Sequence, residues 1–171
     1  RQVDSSVAGW NFQALKAALN TGEKISGLER ALEDGVEYFA NSRDPEGGIR
    51  YKPTEGAGKS TLTPVGALAF MMMDKEGEEY SDDVFNWMNE RMVGKGGVHG
   101  YGWYYAMQAY FLQSDKELWT KWNEYAMPRV LEAQREDGSF SGVNCGHGPE
   151  DALTKSVYAT ALCTLMLEVY Y

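Results

Sequence analysis

Two kinds of apolar pattern alternate along the chain, separated by glycine-rich breaks. One kind is short of charge and apolar nearly all round: residues 61–73, 101–112 and 152–170. A helix apolar on every side is a helix buried on every side. The other kind is amphipathic. Within 118–135, Leu118, Trp122, Tyr125, Ala126, Val130 and Ala133 follow helical spacing, while Lys121, Glu124, Glu132 and Arg135 fill the opposite face. The alternation predicts an all-α chain built as inner helix, outer helix and glycine turn, repeated about three and a half times. The first pair is expected over 9–20 and 27–42, and 152–170 is expected as an inner helix without an outer partner. No strand is predicted.

The breaks carry the period. Asp44-Pro-Glu-Gly-Gly-Ile, Gly94-Lys-Gly-Gly-Val and Glu136-Asp-Gly-Ser-Phe recur, and Gly47, Gly96 and Gly138 stand 49 and 42 residues apart. A period in the forties fits a helix pair that cannot bury its apolar face without its neighbours. Helix starts are read from Ser26-x-x-Glu29 and Ser114-x-x-Glu117, which have capping-box spacing, and from Ser81 followed by Asp82 and Asp83. Thr63 before Pro64 reads as an N-cap with proline at the first helical position. Pro128 is expected to kink or split the third outer helix.

Gln134-Arg-Glu-Asp-Gly-Ser-Phe140 resembles the glutamine-to-aromatic repeat of the squalene–hopene cyclase and protein prenyltransferase superfamily. Together with Trp103-Tyr-Tyr-Ala-Met-Gln, Trp119-x-x-Trp-Asn-Glu and the 160–171 segment, the last two thirds of the chain are similar to bacterial prenyltransferase/squalene-cyclase repeat proteins. The resemblance implies an α/α toroid, here a partial one. In the first pair it puts Ser42 at the glutamine position, with Tyr51 as the nearest aromatic. The motifs that carry chemistry in that superfamily are missing. There is no Asp-x-Asp-Asp acid, since Tyr80 stands where the first Asp of Tyr80-Ser-Asp-Asp83 would be. There is no Asp-x-Cys zinc pair, since Val143 stands two before Cys145. Thr54-Glu-Gly-Ala-Gly-Lys-Ser60 is not a phosphate loop, because Pro53 replaces the first glycine and no strand precedes it.

Composition narrows the partners. Sixteen Lys+Arg against 25 Asp+Glu give a net charge of −9, which argues against nucleic acid and anionic membrane surfaces. No apolar run reaches the roughly 18 uninterrupted residues that span a bilayer. Two cysteines form no disulfide framework.

Two groups of residues are candidates for a site. Cys145, Gly146 and His147, with Glu150 and Asp151, fall in the turn before the last inner helix. His99, the other histidine, falls in the preceding turn of the same kind. Turns of one kind lie at one end of a helical ring, so repeat geometry brings His99, Cys145 and His147 to one rim. These are zinc-ligand types; the plainer reading is a glycine-rich loop exposing polar residues, with no cofactor. The second group is aromatic: Trp103, Tyr104, Tyr105, Tyr110 and Phe111. Tyr101, Tyr104 and Tyr105, near the start of an inner helix, are expected to contact a ligand with His99, His147 and Asp151, where converging helix N-termini favour a polar group. Met71–Met73 and Cys163 read as core.

The expected function is a non-catalytic module that binds a ligand or a protein at this rim, the ligand being apolar, isoprenoid or carbohydrate. The alternatives are an isoprenoid cyclase or transferase whose acid lies outside the segment, and a carbohydrate-active toroid. Residues 1–171 read as one repeat domain. A closed ring of six pairs would take roughly 270 residues, so the domain is expected to be a segment of a longer chain or an arc covered by another copy. The missing initiator Met and the resemblance point to an exported protein.

Overall fold

The computed structural model describes residues 4–146 and 152–171. Among them are seven α-helices and a short 3-10 turn; the few β-type pairings are isolated bridges. The all-α character is as expected, and helices poor in charge alternate along the chain with helices rich in it. The chain divides into two compact units, Arg1–Glu90 and Arg91–Tyr171.

The first unit holds α1 (Ser5–Asn20), α2 (Leu28–Asn41), α3 (Thr63–Met72) and α4 (Glu79–Arg91). α3 is one of the helices expected to be apolar all round, and every residue from Thr63 to Met71 is buried. α1 and α2 both pack on it and on each other. Phe12 of α1 meets Phe39 of α2 edge to face, with ring centroids 6.3 Å apart. Leu32, Phe39, Ile49 and Phe70 are fully buried around them.

The second unit holds α5 (Gly100–Leu112), α6 (Lys116–Glu132), α7 (Ala152–Leu167) and the 3-10 turn Glu168–Tyr170. α5 packs on both α6 and α7. Its core is aromatic: Trp122 stacks on Tyr110 at 5.1 Å and meets Trp103 edge on at 5.2 Å. α6 runs unbroken through Pro128, so the expected split does not occur.

The three turns share glycine conformation and burial, and the first and third share their pairing as well. Gly47, Gly96 and Gly138 all have positive φ, between 77° and 95°, and two residues later Ile49, Val98 and Phe140 are all buried. Arg43 pairs with Ile49 as Gln134 pairs with Phe140. The Ile49 N–H donates to Thr63 Oγ1 at 3.0 Å, and the Phe140 N–H donates to Thr160 Oγ1 at 3.0 Å. This register corrects the expected one. Arg43, not Ser42, stands at the glutamine position, and Ile49, not Tyr51, at the aromatic one.

The helix starts differ from expectation. α1 is capped by Asp4, whose carboxylate accepts the N–H groups of Ser6 and Val7, and α6 by Asp115, which accepts that of Glu117. α2 starts after Gly27 in the left-handed region, one residue beyond Ser26. Ser81 lies inside α4 and is buried. Thr63 is already helical, and its hydroxyl holds the turn at Ile49 instead of capping its own helix.

α7 also departs from its expected burial on all sides. Only Ala159, Leu162, Cys163 and Met166 are buried within it. The helix continues through the polar residues that interrupt its apolar run. Residues Ala152–Tyr170 are therefore long and apolar enough by composition to cross a membrane, with 22% of that stretch buried.

Candidate functional site

α5 presents one face that its neighbours leave uncovered. Tyr101, Tyr104 and Gln108 are half-buried on it, and Phe111 and Leu112 are exposed, a spacing of three and four residues that keeps all five on one side. α7 and the 3-10 turn bring Leu165, Glu168 and Val169 opposite. Between them lies a groove of about 320 Å³ lined by Tyr104, Gln108, Phe111, Leu112, Leu165, Glu168 and Val169. The Gln108 amide donates to the Tyr104 carbonyl at 3.2 Å, which fixes the side chain along the groove. Beside it Trp119 touches Phe111 at 5.3 Å and Tyr170 at 5.8 Å, and the Tyr170 hydroxyl donates to the Asn123 amide oxygen. The groove thus has hydrocarbon and ring walls, one amide and one carboxylate.

Tyr104 is the expected ligand residue that lines this groove. Tyr105, expected beside it, is fully buried, and Tyr101 and Tyr104 pack their rings on it at 5.0 and 4.9 Å. Burial, reinforced by Tyr101 and Tyr104, pushes the Tyr105 phenol far above its ordinary range, so it stays protonated. Tyr105 supports the face without forming it.

His99 and Cys145 lie at the other end of α5. The Gly100 N–H donates to the Asn144 carbonyl at 2.9 Å, and the Asn144 N–H to the Val98 carbonyl at 2.8 Å. This pairing lays 144–146 along 98–100. A methyl group at Gly146 would lie 4.0 Å from His99 Nε2. The Nδ1 of His99 is committed: it caps α5 by accepting the Gly102 N–H at 3.3 Å. Burial holds the His99 pKa below the ordinary value, so the neutral ring with its proton on Nε2 is the form present at neutral pH. The Cys145 thiol donates to the Val143 carbonyl at 3.5 Å. Burial raises its pKa, against the pull of Lys155, which makes it a poor thiolate. Burial likewise pushes Cys163 up to about 12. His147 and Asp151, with Glu150, lie outside the described residues. Among the described residues, no three His, Cys, Asp or Glu side chains converge as a group that could hold a metal.

Sequence reasoning therefore named Tyr104 and Phe111 and missed Gln108, Leu112, Leu165, Glu168 and Val169. The signal for Gln108 was present: it is the one polar side chain in the middle of an otherwise apolar helix, four residues from Tyr104. Glu168 and Val169 were invisible, because their approach depends on the turn that ends α7. Compared with family models, with curated proteins and with solved structures, the chain matches none.

Proposed function

We propose that this chain is a non-catalytic binding module whose ligand lies along the groove between α5 and the end of α7. The observation that carries the reading is the lining itself: Tyr104, Phe111, Leu112, Leu165 and Val169 against Gln108 and Glu168. Such a surface suits a ligand with an apolar body and a hydroxyl or cationic group, the body desolvated by the walls and the polar group held by the amide and carboxylate. An isoprenoid alcohol has that chemistry. The groove is displaced from the expected rim, since it follows the later half of α5 instead of its N-terminus. Binding is favoured over hydrolysis because Glu168 is the one carboxylate among the lining residues, whereas glycoside hydrolysis needs two flanking the bond. A carbohydrate is the second reading, favoured by the neighbouring Phe111, Trp119 and Tyr170 rings as a stacking surface.

The test is calorimetric titration with farnesol and with cellohexaose, on the native chain and on Leu165→Trp. Leu165 is 39% exposed, so the larger ring fills the groove without disturbing the core. Binding of farnesol that Leu165→Trp abolishes supports the first reading, and the same pattern with cellohexaose alone supports the second. Binding of neither, or binding that Leu165→Trp leaves intact, overturns the groove as the site.

A further inference from the structure

The polar groups of the groove between α5 and the end of α7 are mostly hydrogen-bond acceptors. Glu168 is the one charged side chain in its lining, which holds no lysine or arginine. Gln108 spends an amide N–H on the Tyr104 carbonyl, at 3.2 Å. A carbonyl oxygen only accepts, so the amide nitrogen faces the helix and the amide oxygen points away from that carbonyl. An ionised carboxylate also only accepts, while a phenol such as that of Tyr104 does either.

Rings flank these acceptors. Phe111 lines the groove, Trp119 meets it edge on at 5.3 Å, and Tyr170 meets Trp119 at 5.8 Å. The faces of such rings attract a cation and offer a neutral hydroxyl or an anion nothing comparable. The net charge of −9 draws cations toward the chain and repels anions before contact. The head group of a ligand is selected by the same inventory. A hydroxyl donates a single hydrogen bond and serves one acceptor. A phosphate or carboxylate brings acceptors to acceptors, with a charge of the same sign as that of Glu168. An alkylammonium brings the opposite charge and three donors, enough for the carboxylate and the amide oxygen together.

We propose that the groove takes an amine: an apolar body along Tyr104, Phe111, Leu112 and Leu165, with its ammonium group held by Glu168 and the Gln108 amide oxygen. The assignment rests on the groove being the binding site, and it narrows the ligand from any polar-headed amphiphile to a cationic one. Glu168 is then the residue that sets specificity. It discriminates by charge, whereas the apolar walls desolvate the body of an amine, an alcohol or a phosphate alike.

Farnesylamine, farnesol and farnesyl phosphate share one body and differ in the head, so calorimetric titration of the three tests this. Each is titrated below its aggregation concentration into the native chain, Glu168→Gln and Leu165→Trp, with circular dichroism verifying that both variants are folded. Farnesylamine is expected to bind about tenfold tighter than farnesol, the gain of one charge-assisted hydrogen bond, and farnesyl phosphate weakest. Glu168 is exposed, so Glu168→Gln is expected to remove most of that margin and leave farnesol unchanged within about twofold. Raising NaCl from about 50 to 500 mM is expected to weaken the amine and not the alcohol. Amine and alcohol that bind equally, and are both lost in Leu165→Trp, overturn the cationic head while the groove stands. So does a margin that Glu168→Gln leaves intact. Amine binding that survives Leu165→Trp is adsorption to the acidic surface and overturns the proposal, and binding of none of the three overturns the groove along with it.

Discussion

Gly47 and Gly138 hold the same place in two turns and differ in what surrounds them. Both have positive φ, at 95° and 84°, where an L side chain costs roughly 1–2 kcal/mol. A methyl on Gly138 meets nothing within 4 Å, whereas one on Gly47 would lie 2.6 Å from the Asp83 carbonyl oxygen. Gly138→Ala is thus expected to destabilise by about 1 kcal/mol and Gly47→Ala by at least twice that, a gap that urea denaturation of the two variants resolves. His99 supplies a pH signature. Its folded ring holds a proton less readily than the unfolded one, so below the ordinary histidine pKa of about 6.5 the unfolded chain binds more protons and stability falls. Between about pH 7.5 and 5.5 the native chain is expected to lose more stability than His99→Asn, which keeps a helix cap and does not titrate. Equal losses in the two would mean that the ring is not what holds the start of α5.

At the level of elements, the repeat rests on a hydroxyl that crosses from a helix to the turn before it. Thr63 and Thr160 each accept the N–H of the buried apolar residue, Ile49 or Phe140. Thr63→Val keeps the shape and leaves the Ile49 N–H buried without its acceptor, at an expected cost of about 1–3 kcal/mol. Thr160→Val is expected to cost less, since its bond is only partly buried; denaturant midpoints of the two variants check the order. The burial of α3 and α5 was legible because burial on nearly every side leaves its mark in the residues themselves, whereas α7 is equally apolar and yet largely exposed. The glycine turns were legible because positive φ selects glycine. Helix starts were not. Ser26, Ser81 and Ser114 have the right chemistry, but Gly27, the advance of α4 to Glu79, and Asp115 decide the caps, and those depend on how each loop enters its helix. The register of the first turn was missed for a similar reason. Arg43 replaces glutamine and is held by Asp83 of α4, a contact 40 residues away that no local pattern announces. The groove shows the same division: Tyr104 and Gln108 share a face by spacing alone, while Glu168 and Val169 reach it only through the turn after α7.

For the whole molecule, the balance of charge makes a prediction about stability. The chain carries −9, and its acids gather on α2, α4 and α6, where Glu29, Glu33, Asp34 and Glu37, then Glu79, Asp82, Asp83 and Glu90, then Glu117, Glu124 and Glu132 follow one another. A net charge far from zero works against the folded state by self-repulsion. From about 10 mM to 1 M NaCl the screening length shrinks from about 30 Å to 3 Å, so the midpoint of thermal unfolding is expected to rise by several degrees. Ion pairs such as Arg43 with Asp83 pull the other way, since salt weakens them as well. Calorimetric unfolding at the two salt concentrations decides which outweighs the other. A midpoint that falls as salt rises would mean that attraction between unlike charges, and not repulsion between the acids, dominates the surface.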